Sequence, residues 1–191
     1  MKSCHTLPEG YTPLLTIDMK NNKKLAFGVN FGTILIMCAI FLMMPLFCPL
    51  YVCIADLTSV SQLLIRFAAG AIALLAYIVL HEAVHGLAMK ICGTEKVRFG
   101  LTLLYAYAGS DDYYTKKAYI FIALAPIVLW GIVLSIVCAV VPPSWFFVFY
   151  FIQAMNIAGA AGDLYVSIRC LFLPSHILIR DWGTNMIVYS K

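Results

Sequence analysis

Residues 67–89 read FAAGAIALLAYIVLHEAVHGLAM, and three polar letters in that run decide how the chain is read. A bilayer is crossed by about 20 apolar residues, so the stretch is long enough to span one. His81, Glu82 and His85 interrupt it in the pattern HExxH. Ionisable groups are costly in hydrocarbon, so three of them together are expected to serve a function. On a helix, positions i and i+4 share a face. Both imidazoles can therefore reach one metal ion while Glu82 stands beside an attacking water. With four His and three Glu in 191 residues, chance supplies this pattern about once in a thousand such chains.

The flanking sequence has the same character. The chain is 63% hydrophobic and 12% charged, with a mean hydropathy of +0.92, whereas globular chains are about half apolar and about a quarter charged. Four stretches are predicted to span a membrane: 26–48, 63–89, 118–141 and 145–168. The expected fold is an all-α integral membrane protein of about four transmembrane helices, with a short β-hairpin or membrane-associated strand between the second and third. Residues 1–24 read as a leader, 25–174 as the membrane domain and 175–191 as a tail. The first span lacks a small-x-small cleavage site and reads as a retained anchor.

Twelve of the thirteen Lys and Arg residues fall before the first span, between the second and third, or after the fourth; only Arg66 lies on the other side. This bias predicts both termini in the cytoplasm. The basic residues are spread over loops rather than gathered on one face, which argues against nucleic acid as a partner. The lipid bilayer is the partner that composition implies. Seven cysteines show no CxxC and no zinc-finger spacing. Cys48 and Cys53 flank the first external loop, and their spacing leaves pairing open. His176, beyond Pro174, is expected at the interface rather than on a metal. In the longest loop, 93–117, Val97, Phe99, Leu101 and Leu103 alternate with Arg98, Gly100 and Thr102, a strand period. Such a strand can rest on the interface or capture an extended peptide by β-addition.

Two histidines leave a catalytic zinc short of its usual three protein ligands. The only other acid within a predicted span is Asp163. His85 lies five residues before Lys90 and Asp163 six before Arg169, so both sit within about 10 Å of the cytoplasmic end of their spans. Equal depth selects Asp163 as the third ligand. Asn156, seven residues earlier, lies on the same helix face. It can donate to a substrate carbonyl or oxyanion, or only bridge helices. Gly86, Gly159 and Gly162 are expected to permit close helix packing.

The order HEAVHG, then Ala123-Leu-Ala-Pro126, then Asn156 and Gly162-Asp163-Leu164 resembles the integral-membrane zincins. The general plan is similar to the site-2 protease family. The short chain and the N…GD form look closer to the membrane zincin metallopeptidases of the DUF3267 type. The likeness covers about residues 63–170. It implies zinc held by His81, His85 and Asp163, with Glu82 as base. The usual NPxPxLDG run is replaced by 156–164 without proline, the customary GP is Ala125-Pro126, and there is no PDZ domain. The implied function is a membrane-embedded zinc metallopeptidase acting on membrane proteins or peptides, in a multi-pass plasma-membrane protein of bacterial type. The alternatives are an inactive zinc-binding scaffold or regulator that binds hydrophobic helices and, on weaker grounds, an ion transporter.

Overall fold

The computed structural model describes residues 3–18, 21–49, 52, 59–101, 106–183 and 185–191. Cys53 and residues 102–105 of the alternating run lie outside them. Among the described residues, four helical segments are long and apolar enough to cross a membrane: Lys23–Leu46, Val60–Ile91, Lys116–Val140 and Pro143–Leu171. They overlap the four predicted spans. The first holds helix α1 (Lys23–Met43), which has no buried residue. Phe27 and Leu42 are 72% and 81% exposed. In water such a surface would be an association site, whereas hydrocarbon solvates it at no cost. The second and third spans are helices α2 (Val60–Ile91) and α3 (Lys116–Val140), the latter with Pro126 in its interior.

The fourth span is not one helix. Helix α4 (Pro143–Gly159) ends at Ala160, whose φ of −84° and ψ of 19° leave helical geometry, and helix α5 (Ala161–Leu171) begins at once. Two glycines within four residues, Gly159 and Gly162, lower helix propensity there. Among the described residues, a Cβ added at Gly159 would meet nothing within 4 Å. Its smallness therefore does not serve the close helix packing expected of it.

The all-α expectation is corrected, because five short strands form an antiparallel sheet. Strands β1 (Ser3–Cys4) and β2 (Thr12–Asp18) come from the leader. Strand β5 (Tyr113–Thr115) precedes α3, and β6 (Leu178–Asp181) and β7 (Asn185–Ser190) come from the tail. Their order across the sheet is β1-β5-β6-β7-β2. The register of the last pair runs from Thr12 opposite Ser190 to Asp18 opposite Asn185. Along β7, Met186 and Val188 are buried while Ile187 and Tyr189 are half-buried, the two-residue period of a strand packed on one face. A separate antiparallel hairpin, β3 (Arg98–Leu101) with β4 (Ala106–Gly109), matches the strand read between the second and third spans.

The chain forms two compact units. One gathers 1–29, 80–126 and 162–191, and thus the sheet, the hairpin, the C-terminal part of α2, the start of α3 and α5. Its core joins Ile179 and Val188 of the sheet to Ala88, Met89 and Cys92, to Ala118, Tyr119 and Ile122, and to Val166 and Cys170. Lys116 Nζ donates to the Leu171 and Leu173 carbonyls at 2.9 and 2.7 Å, satisfying the open C-terminal end of α5. The other unit holds 30–79 and 127–161. There Tyr77 Oη donates to Asn156 Oδ1 at 2.9 Å, and the Asn156 amide donates to the Ile127 carbonyl at 3.2 Å.

Candidate metal centre

One turn of α2 carries His81, Glu82 and His85. The two imidazole rings lie edge to face with centroids 5.0 Å apart, as i, i+4 spacing requires. Asp163 enters from the first turn of α5, immediately past the break at Ala160. Its Oδ2 lies 3.6 Å from His81 Nε2 and 3.5 Å from His85 Nε2. The histidines are 9% and 8% exposed. All three residues belong to the first unit, and their donor atoms lie within 4.8 Å of one another.

Those separations are informative. They are too long for good hydrogen bonds. Two ligands each about 2.1 Å from a shared tetrahedral ion stand about 3.4 Å apart, close to what is seen. Two imidazole nitrogens and one carboxylate oxygen also form a donor set suited to zinc, leaving a fourth position open. His85 has its second nitrogen engaged: Nδ1 meets the Ile122 carbonyl at 2.9 Å. Because a carbonyl only accepts, Nδ1 carries the proton, which leaves Nε2 as the nitrogen that can offer a lone pair to a metal. The residues fit a zinc ion.

Glu82 is half-buried beside both histidines, with its carboxyl within hydrogen-bonding reach of the Ala108 backbone in β4. The hairpin is held against this turn. A Cβ on Gly86 would overlap the Phe99 ring, so this glycine does serve close packing, with a strand rather than a helix as neighbour. At the hairpin's end a Cβ on Gly109 would come within 2.7 Å of the Trp182 carbonyl carbon. Asp111 then ties hairpin to sheet. It pairs with Arg98 of β3, and it accepts from Arg180 of β6 at 2.9 Å and from Trp182 Nε1 at 3.2 Å. The Arg180 and Trp182 hydrogen bonds hold its carboxyl below the usual range.

Three parts of this arrangement carry no signal in the HExxH pattern: the Ile122 carbonyl, the Ala108 backbone and the Tyr119–Asp181 contact. Tyr119 Oη donates to Asp181 Oδ2 at 2.6 Å, and the Gly183 N–H donates to Oδ1 at 2.7 Å. Burial pushes the Asp181 carboxyl up, opposed by those two donors. Asn156 is placed in the other unit, bonded to Tyr77 and Ile127.

An HExxH turn joined by a carboxylate from a second helix, with four helical segments of spanning length among the described residues, is the donor arrangement of a zincin-type metal centre. The family model described as "Putative zincin peptidase" (DUF3267) matches residues 74–178, and the chain belongs to that family. No curated protein and no solved structure matches the chain at a significant level.

Proposed function

We propose that this chain is a membrane-embedded zinc metallopeptidase that hydrolyses peptide bonds of membrane-associated substrates. The observation that carries the reading is the convergence of His81, His85 and Asp163 within 4.8 Å, with Glu82 beside them. Bound zinc supplies Lewis acidity, which acidifies water and polarises a carbonyl. His81, His85 and Asp163 would hold the ion, and the Ile122 carbonyl would keep His85 in the required tautomer. Glu82 takes a proton from the attacking water and passes it to the leaving amine nitrogen.

A substrate helix in lipid hides its amides in internal hydrogen bonds and must unwind before it can be cut. Strand β4, which borders Glu82 at Ala108, is suited to hold the unwound segment by β-addition. Asn156 has its amide engaged by Tyr77 and Ile127, so it takes the bridging role. For topology, the positive-inside bias and the pairing of β2 with β7 both support placing the two terminal segments on the cytoplasmic side.

Glu82→Gln tests this reading, because it keeps every metal ligand and removes the base. Cleavage of a membrane-protein substrate should fall by about 10²-fold or more while zinc content stays at the wild-type level. Wild-type cleavage by this variant would end the proposal, and a wild type that binds no zinc would end it sooner.

A further inference from the structure

A carbonyl inside an α-helix normally accepts from the N–H four residues on. Four residues after Ile122 stands Pro126, inside α3. Proline has no N–H, and its ring crowds the carbonyl of residue i−4. The Ile122 oxygen therefore lacks the helical donor its neighbours have. It is the same oxygen that meets His85 Nδ1 at 2.9 Å. Pro126 is less than 2% exposed, so the ring is enclosed and the helix cannot shed the constraint toward lipid. An interior proline is also the least favourable helix residue. Something at this position must offset it, and the freed carbonyl has a visible use.

We propose that Pro126 is a positioning residue of the metal centre. By deleting one helical donor it reserves the Ile122 carbonyl for His85, which fixes the imidazole with Nδ1 protonated and Nε2 facing His81 and Asp163. This rests on the reading of His81, His85 and Asp163 as the zinc site. Pro126 acts through Ile122 and His85, not on substrate. An alternative use of the ring, filling space, makes a different prediction about which replacements are tolerated.

The test uses the full chain in detergent with two variants. Pro126→Ala restores the N–H and removes bulk, whereas Pro126→Val restores the N–H and keeps it. Zinc affinity is measured by competition with a chromophoric chelator. The His85 ring protons are followed by ¹⁵N-resolved spectra of the metal-free protein. Both variants should bind zinc about 10- to 100-fold more weakly, the usual effect of losing a hydrogen-bond partner behind a metal ligand. Both should also lose the slowly exchanging Nδ1–H signal, while their metal-free melting temperatures hold or rise. The proposal is overturned if both variants bind zinc as the wild type does, or if only Pro126→Ala weakens binding, which would make bulk the cause. Failure of both to fold would also overturn it, since a helix relieved of its proline should be easier to form. A wild type without zinc removes the metal reading itself, whereas zinc-binding variants indistinguishable from wild type remove only the role of Pro126.

Discussion

In the proposed zinc site Asp163 is the third ligand, and Asp163→Asn isolates its charge from its shape. The amide keeps the size of the carboxylate and one oxygen, at a position 3.5 and 3.6 Å from the two Nε2 atoms. Structural zinc sites with four ligands are worth about 10–16 kcal/mol, or about 2.5–4 kcal/mol per ligand. A neutral oxygen recovers part of that, so the expected loss is about 3 kcal/mol, or roughly 100-fold in Kd. Linkage converts this into a melting experiment. At free zinc near 100 times the wild-type Kd, zinc stabilises the wild type by about 2.7 kcal/mol and the variant by only about 0.4 kcal/mol. The zinc-free melts give each protein its own baseline, because Asp163 Oδ2 is within ion-pairing distance of both imidazoles and the amide loses that charge as well. Chelator competition and thermal melts with and without zinc read both quantities. Equal zinc affinity, or an equal zinc-induced shift in melting temperature, would refute the assignment of Asp163 as a ligand.

Asn156→Ala removes the bonds to Tyr77 and Ile127. Polar contacts between helices in lipid average about 0.6 kcal/mol each, so stability should fall by about 1–2 kcal/mol with zinc affinity unchanged. A large loss of turnover in a stable, zinc-loaded Asn156→Ala protein would instead favour Asn156 as a catalytic donor. His5 Nδ1 pairs with Asp112 Oδ1 at 2.8 Å, and that hydrogen bond, with the carboxylate's charge, raises the imidazole above its ordinary 6.5. A raised folded-state pKa gives stabilisation that is complete below 6.5 and lost as pH climbs through the raised value. The Ser3 amide, which donates to the Cys92 carbonyl at 3.0 Å, should thus lose exchange protection toward alkaline pH. Hydrogen exchange measured against the intrinsic rate checks this, and His5→Ala should flatten the profile; a wild-type profile already flat would contradict it.

The spans were legible because hydrocarbon length is a local property: a run of about 20 apolar residues announces itself without reference to the rest of the chain. Asp163 was legible for a related reason, since depth in a membrane gives two distant residues a shared coordinate. The hairpin at 98–109 showed through its alternation. The five-stranded sheet did not, because its strands are two to seven residues long and its pairings join the ends of the chain, as Thr12 does with Ser190. No local period reports such a partner. The break at Ala160 was written only as two glycines, which read equally well as packing residues. What stayed wholly hidden were backbone groups, the Ile122 carbonyl and the Ala108 backbone, which have no letter of their own. The hidden sheet and the hidden carbonyl meet at one place. Tyr119 and Ile122 stand three residues apart on α3, hence on one face, and Tyr119 is anchored to Asp181 in β6. The segment that reads as a tail, 175–191, therefore steadies the helix turn whose carbonyl meets His85.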